Sequence, residues 1–523
     1  MRKIILLALG LLLIQCTSVK KHNETLYKEI KVKQLHKDVD YAYKKLQKMQ
    51  PKLYQYISKE KLDYKFDSLK ASITKPLTSY DFFTKLSPVV SEVRQGHLFT
   101  YPKLKRYSKK EQKNLKKQIS SFSQFEFEIF DNKLYVVENK SKIDSIKIGD
   151  ELTQINNEPV QNLINDAKTW ITSDGYNTTF QDKFIAQRLG TFFTFKYQIQ
   201  DSVAFQFNND KSFWIKRINK DTVSDKTSKK KNEKFTKVQR DSLIKVNRRL
   251  SKLGYNKDTK KYNRELTFTA KDSCTAIMKI KSFTIGNYNS FYKENFDLLK
   301  KTGTKNLIID IRNNFGGRID EISSLYSYLA PDSTYTFVNE SEVTRKTSLL
   351  QTDYFKGSKP VSFIVKGILS PFFYSYMFFK VHKKEDGNYY FNSNAKEKKS
   401  SDLRFNGNVY VLINGGSFSA SSILSTKLKA NKRAIFVGEE TGGEYNGTVA
   451  GFMPQITLPN SKVKMRIGLM YVNAQEKTDV IGHGIYPDVT IIPSLNDRLN
   501  NNDPELNYIL EDIKNKSKLE LEE

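Results

Sequence analysis

Residues 409–422 read VYVLINGGSFSASS: five apolar residues, two glycines, then a run of hydroxyls. A short, wholly apolar run bounded by glycine reads as a strand buried on both faces, the kind found in parallel sheets covered by helices. From Ser419 the pattern SASSILSTKLKA turns helical. Strand, tight turn and helix then follow within a dozen residues, and the glycines permit a turn that bulkier residues would obstruct. The first N–H groups of such a helix lack intrahelical partners and carry the positive end of its dipole, which suits an alkoxide or oxyanion. Ser419 is therefore a candidate nucleophile. It is equally a candidate N-cap, and this stretch alone leaves both readings open.

Around this segment, from Glu265 onward, strands and helices alternate: TAIMKIKSF, a helix near 291–300, LIIDIRNNFGG at 307–317, and a helix near 319–329. That alternation predicts an α/β unit with a parallel or mixed sheet. The second glycine turn, at Gly316 and Gly317, can present backbone N–H groups to an oxyanion. Further toward the N-terminus, SKIDSIKIGDELTQINNEPVQNLINDA gives a strand, a turn at 147–150, a strand, a turn at Asn156-Asn157 and a helix from Val160; this resembles the core of a PDZ domain, a module that adds peptides to a sheet edge. Apolar residues three and four apart between about Leu26 and Val93 predict amphipathic helices.

Four motifs stand in one order: LIIDIRNNFGG, VYVLINGGSFSASS, AIFVGEETGG at 434–443 and GHGIYPDV at 482–489. Together they resemble the catalytic core of the C-terminal processing (tail-specific) and tricorn-type serine proteases over roughly 265–495. The resemblance implies an α/β, crotonase-like (ClpP/crotonase) core, with Ser419 as nucleophile and the backbone N–H groups of Gly316 or Gly317 and of Ala420 as oxyanion donors. A helical N-terminal region and a PDZ-like module also fit that family. The departures decide the mechanism. Ser422 stands where the processing branch has glutamate and Glu444 where its general-base lysine would be, so a Ser-Lys dyad is not supported. The tricorn-like branch uses a histidine instead. Of the histidines at 22, 36, 97, 382 and 483, only His97, in VVSEVRQGHLFTYP, resembles that branch's segment, with Leu98 in the threonine place. A histidine of near-neutral pKa can deprotonate a serine hydroxyl and later protonate the leaving amine, which makes His97 the expected general base. The acidic partner is unassigned, with Glu444 and Asp479 as possibilities.

The expected organisation is a signal segment at 1–16, a helical region at 24–115, the PDZ-like domain at 120–215, a basic linker or insertion at 216–262, the catalytic core at 263–497 and a charged tail at 498–523. The start MRKIILLALGLLLIQC is an export signal, and Cys16 resembles the acylated cysteine of bacterial lipoproteins. Only Cys274 remains, read as a small core residue, so no intrachain disulfide is expected. The apolar segment 368–379, ILSPFFYSYMFF, is too short to span a bilayer and is expected to be an aromatic core segment, with the lining of a substrate pocket or contact with a membrane surface as alternatives. A net charge of +30 favours anionic neighbours. For an exported chain these are lipid headgroups rather than nucleic acid. No metal-ligand cluster, phosphate loop or nicotinamide fingerprint stands in the sequence, so no cofactor or metal is expected. These readings predict a serine peptidase of the cell envelope acting on peptide or unfolded protein. Two rivals are a catalytically inactive peptide-binding scaffold and a crotonase-like acyl-thioester enzyme.

Overall fold

The computed structural model describes residues 18–208, 211–220, 237–256, 261–269, 273–358, 360–392 and 395–522. The signal segment and Cys16 lie outside the described residues. After a short helix, Val19–Glu24, come three longer ones: α1 (Val32–Met49), α2 (Lys59–Ala71) and α3 (Ser79–Ser91). Each buries one stripe, Leu35, Val39, Ala42 and Leu46 on α1 being an example of the helical period. A capping box between Thr78 and Asp81 starts α3. The chain leaves it through Arg94, at φ +54°, into β1 (Phe99–Tyr101).

Residues 120–215 form the hairpin β2 (Phe125–Phe130) and β3 (Lys133–Asn139), followed by β4 (Leu152–Ile155), β5 (Ser202–Phe207) and β6 (Ser212–Lys216). The short strand Glu158–Pro159 edges the sheet, then β4, β5 and β6 follow in that order. Two helices, α4 (Val160–Trp170) and α5 (Thr179–Tyr197), pack against each other and against this region. Its apolar residues are continuous with those of α1–α3, so the two N-terminal regions share one core.

The C-terminal half is built on six strands in the order β7 (Arg264–Phe268), β8 (Thr275–Ile280), β9 (Asn306–Asp310), β10 (Asn408–Ile413), β11 (Ile435–Gly438) and β12 (Val489–Thr490). Only the β7–β8 pair is antiparallel. Apolar strands β9 and β10 are buried almost throughout, because both faces are covered. On one face lie α6 (Tyr288–Lys301), α7 (Ile319–Ser327) and α9 (Ala420–Ala430); α8 (Pro360–Lys380) lies outside this layer.

Three expectations change. The charged tail contains α10 (Pro504–Glu522), whose Leu506, Ile509, Leu510 and Ile513 cover the other face of the sheet against Ile308, Tyr410, Leu412 and Val437. Charge dominates its composition, but its apolar residues recur at helical spacing. The segment 368–379 is not core: it belongs to the longer α8, most of whose side chains are exposed. Cys274 is half-buried just before β8 rather than in the core.

Candidate active site

Strands β9 and β10 are adjacent and parallel, so the loops at their carboxyl ends, 311–318 and 414–419, meet at one edge of the sheet, where open α/β sheets hold their ligands. Hydrogen bonds join these loops. Asn414 Oδ1 accepts from the N–H of Asn313 and of Gly416, each at 2.9 Å, and Ser417 Oγ donates to Ile311 O at 2.8 Å. Ser421 Oγ donates to Asn314 O at 2.7 Å. Ser417 and Ser421 thus shape the loop.

The glycines serve close approach rather than the turn itself. A Cβ on Gly415 would lie 2.2 Å from Thr179 O at the start of α5. The strained residue of the turn is Ser419, at φ +60° and ψ −117°. A non-glycine residue holds such a conformation only where its surroundings over-determine it. Ser419 occupies the N-cap position of α9, yet its side chain makes no capping bond. Its Oγ lies instead 3.0 Å from His97 Nε2. Of the two readings of the serine left open by sequence, the N-cap does not hold, since a hydroxyl engaged with an imidazole does not cap the helix.

His97 stands in the loop between α3 and β1. Its ring packs on Phe418, with centroids 4.8 Å apart, and its carbonyl accepts from Arg466 Nε at 3.1 Å. Burial, with the Arg466 charge added, pushes its pKa down to about 3. The ring is therefore neutral at ordinary pH. Its other nitrogen, Nδ1, is buried with no hydrogen-bond partner among the described residues.

Neither proposed acid reaches that nitrogen through a hydrogen bond. Asp479 is solvent-exposed. Glu444 is 1% exposed, accepts from Tyr56 Oη and from Gln55 Nε2 at 3.3 Å, and takes the Gly482 N–H at 3.0 Å. Burial raises its pKa against those bonds. The buried acid that reaches the histidine loop is one the sequence reading missed, Asp174: its Oδ1 accepts the N–H of Gly96, the residue before His97, at 2.7 Å. Burial, together with the Glu444 charge, pushes the Asp174 carboxyl up to about 7 against the Gly96 bond. The only sequence signal there is the Asp174-Gly175 dipeptide, which reads as an ordinary turn.

The oxyanion candidates stand together. A Cβ on Gly316, at φ +92°, would fall 2.8 Å from the nitrogen of Ala420, so these two backbones are in contact. The Gly316 N–H is already given to Asn314 Oδ1 at 3.0 Å. No hydrogen bond among the described residues uses the N–H of Gly317 or of Ala420.

Residues 274–491 match Peptidase family S41. The domain is that of a serine peptidase. Over most of its length the chain is similar in fold to mature CPAF, at 12% identity and TM-score 0.54, covering 89% of this chain and 94% of that one. Mature CPAF complexed with lactacystin gives 13% identity and TM-score 0.55, over 90% and 95% of the two chains. The photosystem II D1 C-terminal processing protease gives 12% identity and TM-score 0.41, over 87% and 92%. No curated protein matches the sequence. The residues gathered at the serine of this peptidase come from both sides of the matched segment boundary, since His97 and Asp174 precede residue 274.

Proposed function

We propose that the protein is a peptide-bond hydrolase of the bacterial cell envelope that works through an acyl-enzyme on Ser419, with His97 as general base. The observation that carries this reading is the 3.0 Å approach of His97 Nε2 to a strained, non-capping Ser419 Oγ. The hydroxyl attacks the substrate carbonyl carbon while Nε2 takes its proton. The C–N bond breaks as the same proton passes to the leaving amine, and water repeats the sequence on the ester. The N–H groups of Gly317 and Ala420 receive the developing oxyanion, the latter aided by the α9 dipole.

A neutral imidazole held at so low a pKa is a weak base, and the imidazolium formed during attack needs a counter-charge. In this reading Asp174 supplies it when ionised, and it acts as a positioning residue through the Gly96 N–H. Glu444 helps hold the cluster without touching the histidine. Substrates are peptides or unfolded proteins, with residues 120–215 as a PDZ-like capture module. Residues 1–16 support export and acylation at Cys16.

The test combines labelling and cleavage. A fluorophosphonate should label the wild-type chain on Ser419, and mass spectrometry of a digested unfolded-protein mixture should give defined cut sites. Ser419→Ala should abolish labelling, and both Ser419→Ala and His97→Ala should lower cleavage by at least about 10³-fold while melting like wild type. Undiminished cleavage by Ser419→Ala would remove the nucleophile assignment.

A further inference from the structure

Helix α8 is the least ordinary part of the surface. It carries only two charges, Lys366 and Lys380, in 21 residues. Val361, Ile364, Ile368, Phe372 and Phe379 are between 64% and 77% exposed. A helix apolar around most of its circumference belongs in a core or in lipid. Yet α8 is held to the body by a narrow seam: Phe373 stacks on Tyr354 at 4.1 Å, Met377 is buried, and Lys366 Nζ donates to Tyr354 O at 2.6 Å. At about 31 Å it is long enough to span a bilayer. The seam, however, lays it along the protein.

A basic strip leads to this helix from the N-terminal end of the described chain. Asn23 exchanges hydrogen bonds with the backbone of Arg106, at 2.9 and 2.8 Å, and Lys103 Nζ donates to Thr25 O at 2.8 Å. Strand β1, just before, pairs Tyr101 with Lys464, and Lys464 pairs in turn with Thr457. At the other end of that last strand, the Gln455 N–H donates to Asp353 Oδ2 at 3.0 Å, and Asp353 holds Lys356 four residues before α8. Arg106, Lys462, Lys464 and Lys356 are all exposed along this path. They crowd closely enough that burial, then the charges of Arg106 and Lys356, lower the Lys464 pKa. Asp353 is the acid beside them. Such a row of like charges next to an exposed apolar helix is the arrangement by which interfacial helices bind anionic lipid.

We propose that α8 and the basic strip from Arg106 to Lys356 form one face that docks on an anionic phospholipid bilayer, with α8 lying in the boundary between headgroups and acyl chains. The strip begins where the chain emerges from residues 1–17, so an acyl chain on Cys16 and this face would engage the same surface. The inference rests on the envelope reading only for which bilayer is met. Docking would hold the active site at a fixed orientation to the membrane.

The experiment uses residues 18–523, which contain every residue of both large apolar cores and no lipid anchor. Co-sedimentation with phosphatidylglycerol–phosphatidylcholine vesicles should exceed that with phosphatidylcholine alone and fall with added salt. Phe372→Glu and Ile368→Ser should each weaken binding roughly 10-fold, and Lys356→Glu with Lys464→Glu should remove the preference for anionic lipid. Melting temperature and peptide cleavage should match wild type in every variant, which separates lost docking from misfolding. Absence of binding to anionic vesicles overturns the proposal, as does binding that Phe372→Glu and Ile368→Ser leave unchanged. A dimer that Phe372→Glu converts to monomer, with no vesicle binding, also overturns it and assigns the face to a second copy of the chain. Failure of Cys16 acylation in cells would overturn the anchor alone, because the tested chain lacks it.

Discussion

At the scale of single residues, the site depends on where two protons reside. His97 is neutral above about pH 3, so its own titration leaves no acid limb in the working range. Asp174 titrates near 7. The activity of the free enzyme should therefore rise through about pH 7 as Asp174 ionises and supports the imidazolium. Asp174→Asn should remove that limb and lower kcat roughly 10²–10⁴-fold at pH 8, with little change in KM. Stability moves the other way. Because burial raises the folded-state pKa from 3.8 to about 7, the folded chain retains a proton that the unfolded chain has lost between those values. The stability held by the neutral carboxyl is complete below about pH 4 and is lost as pH rises through 7. Thermal melts should show wild type and Asp174→Asn close together near pH 4, with the variant melting higher above pH 7. A kcat limb that persists in Asp174→Asn would assign it to another group.

Among the elements, α10 has the clearest dependence on one side chain. Arg312, at the end of β9, makes bidentate bonds to Asp503 at 2.8 Å and 2.8 Å, binds Asp310, and lies 3.1 Å from Glu505. These carboxylates clamp the start of α10 to the strand that leads into the Gly316–Gly317 turn. Arg312 therefore serves to hold α10 in place, although it sits inside a motif read from sequence as catalytic. Arg312→Ala leaves buried Asp310 without its main counter-charge and should cost about 3–5 kcal/mol in a urea melt. Hydrogen exchange should accelerate first in residues 504–522, and a uniform acceleration would show that the clamp is not local. Elsewhere, α9 is buried on nearly every side, as its strand-turn-helix pattern implies. Helix α8 is the more apolar of the two and has the opposite environment, which no local pattern could indicate.

Across the whole molecule, the site is assembled between halves. The proposed nucleophile and oxyanion turns lie in the segment that matches Peptidase family S41, while His97 and Asp174 come from the regions before it. Tyr56, after α1, donates to Glu444 beyond β11, and Asn177 Nδ2 donates to Thr441 O at 2.9 Å. These bonds register one half on the other. Tyr56→Phe should cost about 1–3 kcal/mol by leaving a buried carboxylate with fewer donors. The exposed Tyr54→Phe serves as the control and should leave the urea midpoint near wild type. Equal effects of the two changes would mean that Glu444 does not depend on the bond across the halves.

The sequence alone determined the α/β core and singled out the two glycine turns, Ser419 and His97 as candidates, because apolar strands, turn residues and ordered motifs are local patterns. The rest depended on contacts between residues far apart in the chain. Whether Ser419 caps its helix or faces a base was decided by a residue 322 positions away. Asp174 became visible only when folding buried it against Gly96, since desolvation and a single backbone bond leave no mark on neighbouring residues. The fates of α8 and α10 were likewise decided by what each packs against. Their apolar residues set the demand for burial, and tertiary structure decided that the central sheet meets it for α10 and that the protein leaves it unmet for most of α8.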